Sequence, residues 1–330
     1  MVVFVTGSSG LIGKWVIESC LANGIEVAGY DNRPCPYPHY AEYCILGDIR
    51  DEAVLSAAID RVKPDVIVHL AARIDLEGAS LADYDSNILG VQNICEVAKS
   101  QPSVKRVINT SSMLVCKVGY VPVDDQDYCP NTIYGESKVV TEKIIRQSDM
   151  GDVDWCLVRP TTVWGPHMGD HYKSLLHHIL NGNYFHSGSS KLYKSYSFAG
   201  NIAHQYLKLI LAEKKVIHQK VFYLADYKPL SLREYIDELA DAMHVKHPIM
   251  LPLPMAKVVA LAGDLIEVIG VKFPFNSFRL NNILTEYIFD LSKTREVCGE
   301  LPYDFHQGVE QTARWYLADL QSKSKQSGPD

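Results

Sequence analysis

A glycine-rich segment near the start of the chain constrains the fold more than any other feature. The segment Thr6-Gly7-Ser8-Ser9-Gly10-Leu11-Ile12-Gly13 follows the apolar run at residues 2–5 and opens a helical pattern. Glycines in this context allow a tight turn, let the backbone approach a pyrophosphate and let the helix pack closely on the strand. The unpaired N–H groups and the positive dipole end of the helix then face the phosphates. The segment therefore predicts a strand–turn–helix unit that binds a dinucleotide.

A carboxylate at the end of the second apolar run supports the same site. This run covers residues 25–30 and leads into Asp31, which lies 18 residues after Gly13. A carboxylate at that place accepts hydrogen bonds from both hydroxyls of an adenosine ribose, and it repels a 2′-phosphate. The sequence therefore predicts NAD as the cofactor. Arg33, two residues further on, is the one feature that would favour a phosphate there.

Short apolar runs alternate with helical patterns over the first half of the chain. The runs lie at residues 2–5, 25–30, 43–46, 66–70, 104–109 and 155–159, and the helical patterns at 11–22, 52–61, 81–99 and 133–147. This alternation indicates parallel strands joined by right-handed helical crossovers. Continuous β-branched runs are typical of strands that are buried on both faces of a sheet. An α/β fold is therefore expected.

The pattern changes after Pro166, and a length of 330 residues suggests about two domains. We expect a nucleotide-binding domain over residues 1–166, to which parts of 200–225 return. The second, mainly substrate-binding region covers 167–321, and the polar tail at 322–330 is expected to be disordered. The net charge of −7 argues against nucleic acid as a partner. The eight cysteines form no C-x-x-C pair, so we expect reduced thiols and a cytoplasmic protein.

Two further patterns suggest sites that the sequence does not support. His167, His171, His177 and His178 invite a metal interpretation, but no glutamate follows His167 as a zinc-protease motif requires, so no metal is predicted. Residues 254–271 are strongly apolar, yet their three charged side chains fall within one helical sector. This describes an amphipathic helix that covers a core or lies on a partner, and no membrane span is expected. The three charged residues are Lys257, Asp264 and Glu267.

Tyr134 and Lys138 form a Y-x-x-x-K pair on a predicted helix. Side chains at i and i+4 share one helix face. A phenol has a pKa near 10 in water, and a neighbouring ammonium lowers that pKa because it favours the phenolate. Tyr134 would then exchange a proton with a substrate hydroxyl while hydride moves to or from the cofactor. Thr110-Ser111-Ser112, at the end of the fifth strand, adds hydroxyl groups upstream of this pair.

Taken together, these motifs resemble the extended short-chain dehydrogenase/reductase family, also called the NAD-dependent epimerase/dehydratase family. The resemblance implies a Rossmann-type doubly wound parallel sheet with a smaller C-terminal α/β substrate domain. Its landmarks include Gly47-Asp48-Ile49 beside the adenine, His69-Leu70-Ala71-Ala72 beside the nicotinamide ribose, and the loop from Arg159 to Pro166. The cofactor-binding residues that it implies are Gly7, Ser9, Gly10, Leu11, Ile12, Gly13, Asp31, Asn32, Asp48, Ile49, Leu70, Ala71, Ala72, Asn87, Tyr134, Lys138, Pro160 and Val163.

The resemblance also implies catalytic and substrate-binding residues. Val115 matches the family's usual valine, which places Ser112 as the serine that binds the substrate oxygen, with Ser111 as the fallback. Ser112, Tyr134 and Lys138 are thus the expected catalytic triad. On the substrate side, Lys194 occupies the basic position that meets a nucleotide diphosphate, Arg279 offers a second cation and Thr162 replaces a common asparagine. The predicted substrate-binding residues are Ser112, Thr162, Lys194 and Arg279.

Departures from the family pattern narrow the expected reaction. Met113 and Leu114 stand where 4,6-dehydratases carry an Asp-Glu pair, and Met113 also replaces the cysteine of GDP-fucose synthase-like enzymes. Reversible oxidation at one carbinol remains, and we expect a sugar-nucleotide epimerase that resembles the UDP-glucose 4-epimerases. The alternatives are a steroid- or flavonoid-type hydroxyl dehydrogenase or carbonyl reductase, and a non-catalytic NAD-binding sensor.

A homodimer is also expected, because family members commonly pair through two long helices. In this chain those helices are residues 81–99 and the helix that carries Tyr134. The apolar residues that would supply the surface, or would simply face the sheet, are Ala82, Ile88, Val91, Ile94 and Val97.

Overall fold

The computed structural model describes residues 1–188, 191–268, 270, 271, 273 and 275–326. The sequence Gly188-Ser189-Ser190 predicts a turn, and its Ser189 and Ser190 lie outside the described residues. The strands are β1 Val2–Thr6, β2 Glu26–Asp31, β3 Cys44–Leu46, β4 Val66–His69, β5 Arg106–Thr110, β6 Asp154–Pro160, β7 Thr162–Trp164, β8 Phe185–Ser187, β9 Tyr193–Lys194, β10 Tyr196–Phe198, β11 Lys220–Leu224, β12 Leu230–Ser231 and β13 Ile249–Leu251.

Helices follow most of these strands. They are α1 Leu11–Ala22, α2 Glu52–Val62, α3 Asp85–Ser100, α4 Ile133–Gln147, α5 Asp170–Leu180, α6 Ala199–Leu211, α7 Lys214–Ile217, α8 Leu232–Ala242, α9 Leu253–Val268, α10 Ser277–Leu284, α11 Ser292–Cys298 and α12 Phe305–Gln326. Short 3₁₀ helices lie at Pro38–Tyr43, Leu81–Tyr84 and Met113–Val115. In the part of the chain that the structure describes, no helix is both long and apolar enough to cross a membrane.

The chain divides into two compact units, which are built from alternating segments. The first contains Met1–Val163, Ser197–Tyr227 and Phe289–Pro302, and the second contains Trp164–Tyr196, Lys228–Ile288 and the residues from Tyr303 onward. The first unit therefore ends three residues before the boundary that we placed after residue 166. Its third segment, Phe289–Pro302, carries no strand–helix alternation by which the sequence could have assigned it.

Seven parallel strands form the sheet of the first unit, in the order β11-β6-β5-β4-β1-β2-β3. One face is covered by α1 and α6, with Ile17 and Tyr206 in its apolar core. The other face is covered by α2, α3 and α4, with Ile59 and Ile145 in its core. Helices on both faces of a parallel sheet make this a Rossmann-type doubly wound fold, as predicted.

Two expectations differ from the observed helices. Val91, Ile94 and Val97 of α3 lie in the core against the sheet, so they cannot form a dimer surface. A stripe of apolar residues at helical spacing shows that a helix is covered on one face, and here the chain's own sheet covers it. The homodimer stays a prediction, and of the five proposed residues only the exposed Ala82 and the half-buried Ile88 remain available for it. The last helix continues to Gln326, so residues 322–326 are helical rather than disordered, and 327–330 lie outside the described residues.

The second unit contains the helices α5, α8, α9, α10 and α12 and two small strand pairs. β9 pairs antiparallel with β12, and β8 pairs parallel with β13. An aromatic cluster ties three of its segments together, because the ring of Trp164 lies 4.8 Å from that of Tyr235 and 6.2 Å from that of Phe305.

Candidate active site

The glycine-rich turn connects β1 to α1 through close backbone contacts. Gly7 has a φ of +70°, and a Cβ there would lie 2.7 Å from the backbone nitrogen of Ala71, at the end of β4. A Cβ on Gly13 would collide with the Gly7 carbonyl oxygen. Both positions therefore require glycine, because the turn packs against the segment after β4 on one side and against the first turn of α1 on the other.

The start of α1 leaves donors for an anion. Among the described residues no side chain caps this helix, whose N-cap is Gly10. The first N–H groups of an α-helix have no partner within the helix, and here they belong to Leu11, Ile12 and Gly13. Together with the helix dipole they form an anion-binding site at the end of β1.

Asp31 lies beside this turn and helps to shape it. Its Oδ2 accepts a hydrogen bond from the Ser9 nitrogen at 3.0 Å, and its Oδ1 accepts one from the Arg33 nitrogen at 2.9 Å. Each carboxylate oxygen keeps a further lone pair for a hydroxyl. The Arg33 guanidinium lies 3.6 Å from Oδ1, and 69% of its side chain is exposed. The Asp31 carboxylate therefore lies against the glycine-rich turn, and most of the Arg33 side chain lies in solvent.

The next predicted cofactor residues, Asp48 and Ile49, follow β3. The Asp48 carboxylate receives Arg50 at 2.6 Å, and this charge-assisted hydrogen bond lowers the pKa of Asp48. Ile49 is buried against Gly90, where a Cβ would lie 3.1 Å from two of its carbons. The structure thus fixes the backbone here, and the contact of this segment with adenine stays a prediction.

The segment after β4 is held by the side chain of Thr6 at the end of β1. Thr6 Oγ1 accepts hydrogen bonds from the nitrogens of Leu70 and Ala71, both at 3.1 Å, and lies 2.8 Å from His69 Nδ1. Burial, reinforced by the charge of Lys138, lowers the pKa of His69 to about 3, so this imidazole is neutral. The backbone predicted to lie beside the nicotinamide ribose is therefore anchored to the end of β1.

Asn87 joins the same segment to α4. Its Oδ1 accepts from the Arg73 nitrogen at 2.7 Å, and its Nδ2 donates to the Arg73 carbonyl at 3.0 Å and to Ser137 Oγ at 3.1 Å. Ser137 directly precedes Lys138. A single buried amide thus sets the distance between the strand-end loop and the helix that carries the catalytic candidates.

Tyr134 and Lys138 lie on the inner face of α4, and both are buried. The Lys138 Nζ donates to the Thr110 carbonyl at 2.9 Å and lies 5.9 Å from the centre of the Tyr134 ring. Burial lowers the pKa of Lys138 to about 8. At neutral pH a cation therefore stands beside the phenol, and a nearby cation favours the phenolate form.

Ser112 caps the short 3₁₀ helix Met113–Val115 that follows β5. Its Oγ accepts from the Leu114 nitrogen at 3.1 Å, which leaves its O–H to donate. The first turn of α4 lies directly against this segment, because a Cβ on Gly135 would collide with the Leu114 carbonyl oxygen. The elements that carry Ser112 and Tyr134 are therefore in contact. The fallback Ser111 has a buried hydroxyl with no partner among the described residues.

Sequence reasoning missed a buried ion pair on the same face of α4. The Glu142 carboxylate receives Arg159 Nε at 2.8 Å and Arg159 Nη2 at 2.7 Å, and both side chains are almost fully buried. The remaining polar atoms are also paired, since Tyr128 donates to Glu142 at 2.9 Å and Arg159 Nη1 donates to the Tyr223 hydroxyl at 2.9 Å. The i+4 spacing from Lys138 to Glu142 was the sequence signal that could have placed Glu142 on this face of α4.

The remaining predicted substrate residues have different surroundings. Thr162 begins β7, just after Pro160 and before Val163 in the first unit. Lys194 belongs to the second unit, where its buried amine donates to the Asn282 carbonyl and lies 5.2 Å from the Tyr287 ring centre. Burial lowers the pKa of Lys194 to about 8. Arg279 is exposed in the first turn of α10.

The second unit also contains a small open pocket that the sequence did not indicate. Its lining includes Tyr184, His186, Ser231 and Arg233. His186 Nε2 lies 2.9 Å from an Asp237 oxygen. In the described ranges, no group of three or more His, Cys, Asp or Glu side chains is arranged to hold a metal ion.

A sequence model of the NAD dependent epimerase/dehydratase family matches residues 3–221. The chain belongs to this family. It is an NAD-dependent enzyme, and the match covers the glycine-rich turn, Asp31, Ser112 and the Tyr134–Lys138 pair.

Relatives within the family differ in their reactions. The chain is 27% identical over 321 residues to N-acetyl-alpha-D-glucosaminyl-diphospho-ditrans,octacis-undecaprenol 4-epimerase of Escherichia coli O157:H7, covering 95% of this chain and 94% of that protein. It is also 27% identical over 266 residues to 3-beta-hydroxysteroid dehydrogenase of Mycolicibacterium neoaurum, covering 74% and 71%. Both reactions expected from the sequence are thus represented among its relatives.

Solved structures support the same fold. The UDP-glucose 4-epimerase of Thermotoga maritima with UDP-glucose superposes with a TM-score of 0.72 at 19% identity, covering 97% of this chain and 100% of that chain. The Thermus thermophilus UDP-glucose 4-epimerase with NAD gives 0.71 at 19% identity, covering 96% and 99%. At this level of identity the likeness concerns the fold alone.

The residues at the end of β1 fit the cofactor of the family. At Gly7 and Gly13 the backbone packs against its neighbours more closely than any Cβ would allow, the uncapped start of α1 offers N–H donors, and the buried Asp31 offers acceptors for a ribose. These are the donors, acceptors and close backbone approach that a pyrophosphate and an adenosine ribose require.

Proposed function

We propose that this enzyme is an epimerase that oxidises one hydroxyl of a sugar carried on a diphosphate and then reduces the ketone from its other face. The observation that carries the oxidation step of this proposal is the buried Lys138 amine, held by the Thr110 carbonyl beside Tyr134. A relative that covers 95% of the chain at 27% identity is an epimerase of a sugar diphosphate, whereas a sterol-4-alpha-carboxylate 3-dehydrogenase that covers 96% of the chain is 23% identical. This supports epimerisation over net oxidation.

Three residues perform the proton chemistry in this proposal. The O–H of Ser112 donates a hydrogen bond to the reacting oxygen of the substrate. Tyr134, as phenolate, takes the hydroxyl proton and later returns it, while the Lys138 ammonium stabilises the phenolate and binds ribose hydroxyls. NAD, when bound, accepts the hydrogen of the carbinol carbon with its electron pair and gives it back.

The neighbours of Ser112 limit the reaction to this oxidation and reduction. Met113 and Leu114 follow it in the 3₁₀ helix Met113–Val115, and neither side chain can act as an acid or a base. Elimination of water needs such a group next to the carbonyl. We therefore propose that the sugar keeps all its oxygens and changes only its configuration.

Cofactor and substrate contacts follow the same proposal. The cofactor-binding residues predicted above hold NAD, with Asp31 at the adenosine ribose and Asn87 acting through the loop it braces. Thr162, Lys194 and Arg279 bind the substrate, and the two cations take the diphosphate. Lys194 must then exchange its hydrogen bond to the Asn282 carbonyl for a phosphate oxygen.

A second candidate is oxidation of a sterol-like hydroxyl with release of NADH. The match to the hydroxysteroid dehydrogenase over 74% of the chain favours it. The proton chemistry of Ser112, Tyr134 and Lys138 would be the same, so the two candidates differ in substrate and in cofactor exchange.

Product analysis distinguishes the two candidates. The protein with NAD is incubated in deuterated water with a panel of nucleoside-diphosphate sugars, a polyprenyl-diphosphate sugar and a 3β-hydroxysteroid. We expect one sugar diphosphate to give its epimer, with no accumulated NADH and no deuterium on carbon, because the hydrogen is returned rather than exchanged with water. NADH that accumulates with the steroid alone supports the second candidate. Deuterium on the carbon of the epimer would overturn the oxidation–reduction mechanism.

A further inference from the structure

The helix α9 in the second unit packs through its smallest residues. Ala256 and Ala260 are fully buried and form a cluster with Leu280, to which Phe275 contributes. At Gly263 the helix approaches its neighbour so closely that a Cβ would collide with the Phe275 carbonyl oxygen. The fully buried residues on the inner face of α9 are therefore all small.

Five large apolar side chains of α9 point outward instead, whereas Leu253, Val259 and Ile266 are half-buried. At 100° per residue the five fall, together with Ala262, within a sector of about 140° that contains no charged or hydrogen-bonding side chain. We call this surface the α9 apolar face. Its large members are between 55% and 83% exposed, and they are Met255, Val258, Leu261, Leu265 and Val268. The sequence left two roles open for this helix, to cover a core or to lie on a partner. Because the α9 apolar face is exposed, it fits the second role.

The charges around this face are unevenly distributed. Both acids of α9 are engaged on its other side, since Asp264 accepts from the Ser277 nitrogen at 2.9 Å and Glu267 accepts from Asn276 Nδ2 at 2.9 Å. Residues 242–263 contain no aspartate or glutamate, although the whole chain carries a net charge of −7. Lys246 and Lys257 lie exposed in this stretch. Within residues 242–263, which include the first eleven residues of α9, the only formal charges are therefore those of these two exposed lysines.

Two further exposed apolar residues precede the helix in the chain. Ile249 and Met250 of β13 are 73% and 43% exposed and lie between Lys246 and the start of α9. An exposed apolar surface of this extent, bordered by polar residues, marks an interaction site. Its partner must accept apolar side chains and lysine ammonium groups at the same time.

We propose that the α9 apolar face docks on an anionic lipid bilayer, with the helix lying in the plane of the interface. Apolar side chains inserted at the acyl boundary and lysines at the headgroup level are the features of such helices. The 16 residues of α9 span about 24 Å, less than the roughly 30 Å of a hydrocarbon core, which suits lying on a membrane and not crossing it. The proposal is independent of the reaction proposed above.

The charge distribution favours lipid over a second copy of the chain. In a symmetric dimer each residue of the patch meets the same patch on the other copy. Lys246 and Lys257 would then face a surface whose stretch from 242 to 263 offers no acid. The acids that flank this stretch in a second copy are already engaged, Asp241 with His247 and Asp264 with the Ser277 nitrogen, whereas anionic headgroups supply opposite charge that is free.

Vesicle flotation of the full chain tests this docking surface. We expect the protein to float with vesicles of phosphatidylcholine and phosphatidylserine, and less with phosphatidylcholine alone. Leu261→Ser with Leu265→Ser should weaken the binding by at least about tenfold, because two inserted side chains are lost. Lys257→Gln should weaken it by about fivefold on the anionic vesicles only. As a matched control, Val121→Ser with Val123→Ser changes two residues of the first unit that are 81% and 88% exposed, and should leave binding unchanged.

The other results would overturn the proposal. Wild-type protein that stays out of the anionic vesicles, or a Leu261→Ser/Leu265→Ser variant that floats like wild type, contradicts docking on lipid. A dimer in light scattering that this variant converts to a monomer, without vesicle binding, assigns the face to a second copy. All variants should bind NADH like wild type, which shows that they are folded and separates this test from that of the reaction.

Discussion

The helices α4 and α9 distribute polar and apolar side chains in opposite ways. On α4, Tyr134, Lys138 and Glu142 are buried, and the charged pair of Glu142 and Arg159 is fully hydrogen-bonded. On α9, Ala256 and Ala260 are buried while Leu261 and Leu265 are exposed. Buried polar groups persist where every atom has a partner, and exposed apolar groups persist where something outside the chain can cover them. The first arrangement therefore indicates chemistry inside the unit, and the second indicates contact outside it.

The largest effect, a loss of turnover, is expected from removing the hydroxyl of Tyr134 on the inner face of α4. Tyr134→Phe should lower turnover by roughly two to four orders of magnitude, because the proton exchange is lost. NADH affinity, measured by fluorescence titration, should change little and serves as the control. Turnover near the wild-type value would show that the inner face of α4 does not carry the chemistry.

The next effect concerns the ion pair behind the catalytic residues. Arg159→Met should lower the free energy of unfolding by about 3–5 kcal/mol, because it leaves the buried Glu142 carboxylate without its cation. Urea denaturation measures this loss. The double variant Arg159→Met/Glu142→Met should recover much of it, since no buried charge then remains.

An exposed pair provides the matched control for Arg159→Met. Lys99 and Asp149 lie 3.2 Å apart on the surface, with 50% and 83% of their side chains exposed. Lys99→Met should leave the urea midpoint unchanged, because exposed pairs contribute little. Equal losses in the two single variants would mean that burial does not decide the strength of these pairs.

The contrast also shows which parts of the site the sequence could predict. The glycine turn and the Tyr134–Lys138 pair depend on local spacing, so their elements were predictable. The burial of Val91 against the sheet was not predictable. Helical spacing shows that one face of a helix is covered, but it does not show whether the chain's own sheet or a second copy covers it. The engagement of Lys194 with Asn282 joins segments 88 residues apart in the chain, which no local pattern records. The i+4 spacing from Lys138 could have placed Glu142 on the same helix face, but this spacing was overlooked.

A pH titration separates activity from stability at Lys138. Burial holds the pKa of Lys138 at about 8, against 10.5 for an ordinary lysine. Turnover should therefore fall as the pH rises above about 8, because the ammonium beside Tyr134 is lost. Stability should rise between about pH 8 and 10.5, where the unfolded chain binds a proton that the folded chain does not.

The variant Lys138→Met is the control for this titration. Urea denaturation of wild type and variant across the same pH range should give a difference that grows with pH in favour of wild type. A constant difference would contradict a lowered pKa at Lys138, whatever the activity does.

The smallest effect is expected on the outer face of α9, and its inner face provides the comparison. Leu265→Ser should change the free energy of unfolding by no more than about 0.5 kcal/mol, because the leucine is 67% exposed and touches little of its own chain. Gly263→Ala adds a single carbon, yet it should cost about 1–3 kcal/mol, since that carbon meets the Phe275 carbonyl. Urea denaturation followed by tryptophan fluorescence measures both. A loss of 2 kcal/mol or more in Leu265→Ser, as for a buried leucine, would mean that the isolated protein already covers this face. The face would then be packed against protein rather than held ready for lipid.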